Sequence, residues 1–255
     1  MSSNIWTPAA LSSSAQTSSG RCWRLVEAQH HVSTAKLTDT RHEQEVLEHL
    51  LEETKPSIPE ECRQLHYLLF TPFRYGAPYP KGSRFRRAGL TPGVFYASEL
   101  ARTAATELAF YRLLFFAESP DTPWPANPGE YTAFAVEYAA DKGIDLRAVP
   151  FNARQESWIH PTNYDECQKL ADGCRAEGID IIKYQSARDL EPSTNVAILR
   201  CRAFAKKEEV ERQTWRIQVS ASGVRIICES PKIVLDFDHA SFASDQRIAK
   251  MIWDR

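Results

Sequence analysis

The stretch "YPKGSRFRRAGLTPGVFYASELARTAATELAFYRL", residues 79–113, carries the chemistry on which the reading of this chain turns. Lys81, Arg84, Arg86 and Arg87 crowd around Gly82 and Ser83. The segment "GVFYAS" that follows reads as a strand, and "ELARTAATELAFYRLLFFAES" reads as a helix with Ser98 as its N-cap. On a helix, the neighbours of Glu107 at three, four and seven residues are Leu100, Thr103, Ala104, Phe110, Tyr111 and Leu114, a mostly apolar face. A carboxylate on such an apolar face is costly unless it is paired, hydrogen-bonded or set in a cleft. Two readings stay open: a structural acid paired with an arginine, or a site acid. The loop is likewise either a solvated charge run or an anion-binding element, because guanidinium forks match phosphate oxygens. Phe73, Tyr75, Tyr79 and Phe85 are interleaved with the cations and could stack on a ring. Tyr96 reads either as packing or as a pocket wall.

Composition bounds the class. The chain has 255 residues and is 43% hydrophobic, enough for a sizeable core in one domain. A net charge of -2 gives no global field for nucleic acid. Cys22, Cys62, Cys167, Cys174, Cys201 and Cys228 form no CxxC pair or zinc-spaced cluster, so six reduced thiols and no metal site are expected. The start "MSSNIWTPAALSSSAQTSSG" has no basic n-region, and no run reaches the length of a membrane span, so a cytoplasmic protein is expected.

Outward from the opening stretch, elements alternate. Residues 1–20 read as poorly ordered, with Ile5 and Trp6 as docking candidates. "CWRLVEA" reads as a strand, and "DTRHEQEVLEHLLEET" as an amphipathic helix capped by Asp39 or Thr40 and ended before Pro56. "ECRQLHYLLFTPFRY" is ambiguous, and Pro72, Pro78 and Pro80 predict an extended loop. "YTAFAVEY" alternates as a strand. "TNYDECQKLADGCRAEG" reads as a helix with Asn163 and Glu166 as a capping box and Gly178 as its left-handed end. "DIIKY", "NVAILRCRAF", "TWRIQVS", "VRIICES" and "KIVLDF" read as strands, with a hairpin at "ASG" and a short final helix in "SDQRIAKMIW". The class is mixed α+β. His30 and His31 read as incidental and His160 as structural or pocket-lining. Trp158 and Trp215 read as core or interface, and "KKEEVER", residues 206–212, as an exposed loop.

The order of arginine loop, strand tyrosine and helix acid resembles the RES domain, the toxin half of RES/Xre toxin–antitoxin systems. That family has a Gly-Gly-Arg-Phe/Trp-Asn-like loop, a strand ending in Tyr and an A-x-x-E helix turn. Here these are "GSRF", "VFYAS" and "AATE", which place the family's residues on Arg84, Tyr96 and Glu107. Downstream, "YQSARDLEPSTNVAIL" resembles the family's second motif and places its serine on Ser186, with Arg188 and Asn195. An early arginine falls on Arg24 of "CWRLVEA" or on Arg74 of "PFRY". The chain departs from the pattern at Ser83 and Arg86, which stand where many members have Gly and Asn, and in a longer Arg-to-Tyr spacing.

The resemblance implies an ADP-ribosyltransferase-like mixed sheet with flanking helices in a single domain over residues 21–255. Its core motifs span 72–204, with a helical insertion at about 39–69 and a β-rich extension over 206–255. It implies NAD as a substrate that is hydrolysed, phosphorolysed with inorganic phosphate, or used to modify a protein. It needs no metal and no Rossmann fingerprint. Glu107, Arg84, Tyr96 and Ser186 would be catalytic. Arg24, Arg74, Tyr75, Arg86, Arg188 and Asn195 would bind substrate. An Xre-type helix-turn-helix antitoxin is the expected partner and a homodimer is allowed; membrane and direct nucleic-acid binding are not expected. A non-enzymatic nucleic-acid module built on residues 81–87 is the competing class.

Overall fold

In chain order the elements are α1 (Pro8–Ser14), β1 (Gln16–Glu27), α2 (Arg41–Glu53), α3 (Tyr67–Arg74), β2 (Phe95–Ser98), α4 (Ala101–Glu118), β3 (Gly129–Asp145), α5 (Gln155–Ile159), α6 (Asp165–Ala176), β4 (Ile181–Gln185), β5 (Thr194–Ile198), β6 (Glu211–Ser220), β7 (Gly223–Cys228), β8 (Ile233–Phe237) and α7 (Gln246–Ala249). This computed structural model describes residues 7–28, 34, 37–75, 82–89 and 92–254. Ile5, Trp6, His30, His31, Pro78, Tyr79, Pro80 and Lys81 lie outside the described residues.

The long strand β3 organises the sheet, because both of its edges are used. β1 runs antiparallel along one edge, from Gln16 opposite Gly143 to Glu27 opposite Tyr131. The other edge takes β6 at its start, from Gly129 opposite Ile217 to Ala135 opposite Glu211, and β4 in parallel at its end. β4 pairs with β5, β5 with β2, and β2 returns to β1 through Trp23 and Ser98. The ring β1–β2–β5–β4–β3 is therefore a closed five-stranded barrel, and β6–β7–β8 extend the sheet outward from β3. Closure gives each barrel strand a neighbour on both sides, through Trp23 and Ser98 alone at the β1–β2 seam among the described residues. The β6–β7 hairpin turns at Gly223, whose φ of 128° and whose 2.0 Å approach of a would-be Cβ to the Phe237 carbonyl demand glycine.

Helix α4 packs where the barrel meets the extension. Ala104, Ala105 and Ala109 let its backbone come close to the sheet, and Phe110, Leu113, Leu114 and Phe116 fill the space against Trp215, Ile217, Ile226 and Phe242. Burial of each large side chain is worth about 1.5–3 kcal/mol, so Leu113→Ala here would be strongly destabilising. On the opposite side α1, α5 and α6 cover β4 and β5 through Leu11, Trp158, Leu170, Ile182 and Tyr184. A third cluster joins α3 to the barrel through Leu69, Phe95, Phe134 and Phe204.

Several expectations are corrected. Residues 7–20 are ordered: Thr7 caps α1, Leu11 is buried, and β1 begins at Gln16, six residues before the predicted strand. Tertiary packing overrode a Ser-rich composition there. Pro72 lies inside α3 and not in an extended loop. Ser98 does not cap α4; Leu100 holds that position without a side-chain bond, and Ser98 is instead committed to Asn195. Asn163 bonds the Asp165 amide, but Tyr164 is the N-cap of α6 and no capping box forms. Thr40, in contrast, makes a full capping box with Glu43, and Gly178 has the left-handed φ of 71°. Cys62 and Cys201 form a disulfide, their Cα atoms 5.5 Å apart across 139 residues, so the reduced-thiol expectation holds only for the other four. Part of "KKEEVER" is strand, since β6 starts at Glu211. Among the described residues no helix is long and apolar enough to cross a membrane.

Candidate active site

Glu107 sits in the first half of α4, one helical turn after Thr103 and one before Tyr111. Two side chains converge on its Oε1: Ser186 Oγ donates at 2.6 Å and Asn195 Nδ2 donates at 2.6 Å. Among the described residues no donor reaches Oε2. Each donor is fixed from behind. Asn195 lies in β5 opposite Ser98 of β2, and Ser98 Oγ donates to Asn195 Oδ1 at 2.6 Å. That bond settles the amide orientation and aims Nδ2 at the acid. Ser186 follows β4 directly; its Oγ accepts the backbone amides of Arg188 (3.2 Å) and Asp189 (3.0 Å), which leaves its proton for Glu107. Asp189 Oδ2 then accepts from Thr103 Oγ1 at 2.7 Å, a second tie between this turn and α4. Ser98, Thr103, Ser186 and Asn195 are all buried, while Glu107 is half-buried.

Beside the acid lies a layer of aromatic rings and one arginine. The Arg84 guanidinium stands 4.8 Å from the Tyr164 ring centre and 6.0 Å from that of Tyr184, and it donates to the Trp158 carbonyl. Burial opposes its charge, while Cys167, Tyr184, Tyr164 and Glu107 favour it. The Tyr184 phenol is pushed well above its usual range, chiefly by burial and then by the charge of Glu107. Tyr111, half-exposed, stands on the outer turn of α4.

The cationic loop turns inward, contrary to the solvated reading. Ser83 and Arg86 exchange backbone bonds of 2.7 and 3.1 Å in a tight turn. Gly82 enters it with φ of 64°, and a Cβ there would fall 2.4 Å from the Arg86 carbonyl. Gln168 of α6 donates to the carbonyls of Ser83 and Arg86, and Arg175 donates to that of Phe85. Arg84 and Arg86 are buried, Arg86 donates to the Tyr75 carbonyl, and Arg87 pairs with Asp172 at 2.6 Å. Tyr96 belongs to this turn: its hydroxyl meets Ser83 Oγ at 2.8 Å and accepts the Phe85 amide at 2.9 Å. Burial raises the Tyr96 phenol, and these two bonds oppose the rise.

The structure thus brings Glu107, Ser186, Asn195, Arg84 and Arg188 together, with Tyr96 one layer behind. Arg24 of β1 donates to the Tyr96 carbonyl at 2.8 Å and lies over Phe95. Arg74 is engaged elsewhere, by Glu52 at 2.6 Å and the Pro56 carbonyl, so between the two candidate early arginines it is Arg24 that reaches this part of the fold. For Tyr75 the structure gives a carbonyl contact to Arg86. Sequence reasoning gave no site role to Ser98, Thr103, Tyr164, Tyr184 or Asp189. Helical spacing does place Thr103 beside Glu107, four residues before it on the same face; the others depend on sheet register and loop closure. His160 is a turn residue whose Nδ1 accepts the amides of Thr162 and Asn163. Trp158 and Trp215 are core. Grooves of about 370 and 330 Å3 lie at the β7–β8 end and between the ends of β1 and β3, and neither borders Glu107. Among the described residues one group has metal-ligand chemistry, Glu61 with Cys62 and Cys201, and both its sulfurs are joined in the disulfide.

The site is thus a carboxylate held by two donors on a helix that flanks a barrel, and the family follows from the sequence. The RES domain pattern matches residues 58–220, most of the chain, and the protein belongs to the RES domain family. No curated protein matches it. Among solved structures it is similar to a chain in the crystal structure of the M. tuberculosis MbcT–MbcA toxin–antitoxin complex, at 9% identity over 92% of each chain, with a TM-score of 0.43.

Proposed function

We propose that this protein is an enzyme that cleaves the nicotinamide–ribose bond of NAD. The observation that carries the reading is Glu107: a carboxylate whose Oε1 is held by two buried donors while Oε2 is left without one among the described residues. Such a group meets a charge that develops in the reaction and needs no reorganisation to do so.

When the C1′–N bond breaks, its electron pair goes to the ring nitrogen, which neutralises the nicotinamide. The ribose becomes oxocarbenium-like, as in glycoside cleavage. Oε2 of Glu107 would face that cation or its 2′-hydroxyl. Ser186 and Asn195 would hold the carboxylate still. Water then adds at C1′ and loses a proton, giving ADP-ribose; phosphate in its place gives the 1″-phosphate. On this reading Arg84 does not grip the pyrophosphate. Its buried guanidinium donates to the Trp158 carbonyl and lies over the Tyr164 and Tyr184 rings. Tyr96 shapes the loop. Arg188 remains as the substrate-facing cation.

On this reading the fold is an ADP-ribosyltransferase-like variant, and the protein is a cytoplasmic toxin held in check by a small helix-turn-helix antitoxin. Family membership and the barrel support it. A nucleic-acid module loses its basis, because the loop's described arginines are buried or paired.

The test incubates purified full-length protein with NAD carrying label in the ADP-ribose half. Release of nicotinamide is expected, with label in free ADP-ribose. Dependence on added phosphate would indicate phosphorolysis, and label fixed on a protein band would indicate transfer. NAD left intact for hours by folded protein rejects the proposal.

A further inference from the structure

The segment after residue 220 lies outside the region matched by the family pattern, yet its last turn comes back to the site. Asp245 caps α7 and is fully buried, an unusual place for a carboxylate. Its Oδ1 accepts the backbone amide and Nε of Arg247, each at 3.0 Å, and its Oδ2 accepts Arg247 Nη2 at 2.7 Å. The same Oδ2 stands 3.3 Å from Arg188 Nη2. Burial works against the Asp245 charge, and Arg247 with Arg188 more than offsets it, holding the carboxyl below its usual range.

Arg188 comes from the turn that carries Ser186, and its own amide donates to Ser186 Oγ. Its side chain is 4% exposed. The guanidinium lies 3.5 Å from the ring centre of Phe110, three residues beyond Glu107, and Nη2 also donates to the Pro161 carbonyl at 2.7 Å. Phe110 in turn packs on Phe242 of the C-terminal segment. Three sides of the guanidinium are therefore fixed, while Nη1 is buried with no partner among the described residues. A buried donor left unsatisfied costs about 1–3 kcal/mol. Arg247 also pairs with Glu118 at 3.8 Å, so the two arginines meet two carboxylates and what stays unsatisfied is the Nη1 donor of Arg188.

We propose that Asp245 is a positioning residue of the active site, fixing Arg188 so that Nη1 gives a charge-assisted hydrogen bond to a phosphoryl oxygen of the ligand. The identification of that oxygen with the pyrophosphate of NAD rests on the function proposed above. The C-terminal extension is then part of the binding machinery and not an ornament on the fold.

The test uses full-length protein and reads steady-state NAD cleavage together with calorimetric binding of inorganic pyrophosphate. Asp245→Asn keeps the shape and an acceptor for the α7 cap but removes the charge. The KM for NAD and the Kd for pyrophosphate are expected to rise about tenfold, the scale of one charge-assisted bond, with kcat within about threefold. Arg188→Ala is expected to do the same, and the double variant to be no worse than Arg188→Ala alone, because one residue acts through the other. Additive losses, or an unchanged KM in Asp245→Asn, would overturn the proposal. If Asp245→Asn does not fold, Arg188→Lys probes the contact from its other end. The ammonium still pairs with Asp245 but loses the planar stack on Phe110 and has no second nitrogen, so KM must rise in a protein that still melts cooperatively; an unchanged KM overturns the idea. Altered phosphate dependence at unchanged KM for NAD would move the contact to free phosphate and overturn the pyrophosphate assignment. A wild type that binds pyrophosphate through Arg188 yet leaves NAD intact refutes the NAD reading alone. A wild type that cleaves NAD but shows no effect of Arg188 refutes this inference alone.

Discussion

The loop at residues 82–87 and the cluster around Glu107 adjoin each other, and both are rich in groups that a ligand would want. They use them in opposite ways. In the loop every described arginine is consumed by the protein: Arg84 by Trp158 and two tyrosine rings, Arg86 by the Tyr75 carbonyl, Arg87 by Asp172. In the cluster Glu107 is held through one oxygen only. A charged side chain marks a site when its surroundings fix it without saturating it. Density of charge in the sequence does not distinguish the two cases.

The largest test of that contrast is Glu107→Gln. The change is isosteric and leaves Oε1 able to accept from Ser186 and Asn195, so the fold should survive with Tm shifted by only a few degrees. NAD cleavage should fall about 10³-fold, the scale of losing a preorganised electrostatic group. Rates by nicotinamide release, with thermal melts alongside, check both halves. Wild-type turnover in Glu107→Gln would erase the distinction drawn here.

Arg84→Lys addresses the other side. Lysine keeps the charge but loses the planar stack on Tyr164 and the fork that reaches Trp158. We expect kcat about tenfold lower, through a less well-supported Glu107, and loss of about 1–2 kcal/mol of stability from the weakened buried hydrogen bond. KM should stay within about threefold. A KM effect that dominates would mean that Arg84 touches substrate after all, and the loop would rejoin the cluster as a ligand site.

Much of this was legible in the sequence, and what was not has physical reasons. The α4 pattern, the β6–β7 hairpin and the succession of strands along the chain follow from local periodicity and turn chemistry, which need no knowledge of distant residues. The awkward position of Glu107 was also visible, since helical spacing alone put it among apolar neighbours. The inward turn of Arg84 and Arg86 was hidden, because α6 receives the loop and its Gln168 and Arg175 lie about 80–90 residues away in sequence. The disulfide was hidden for the same reason, as spacing gives no hint that Cys62 meets Cys201. Asp245 was the least readable: a carboxylate in "ASDQRIAK" looks like a surface cap until α7 is seen to pack beneath α4.

The smallest effect falls on Tyr96, which stands between the two regions. Its hydroxyl organises the loop turn, and its phenol is raised by burial. Tyr96→Phe removes two hydrogen bonds worth about 1 kcal/mol each, which for a protein of this size lowers Tm by roughly 2–4 °C per kcal/mol at neutral pH. Catalysis should change little, because Tyr96 does not contact Glu107. The pH dependence separates this account from one in which Tyr96 acts as a base. A phenol whose folded-state pKa lies above the unfolded value near 10 stabilises the fold fully below that value and loses the contribution as pH climbs through the folded pKa. Wild type should therefore lose more Tm than Tyr96→Phe between about pH 9 and 11, and the gap between the two should narrow. A gap that widens instead would mean that the folded protein stabilises the phenolate, and Tyr96 would then have to be counted with the reacting groups and not with the loop.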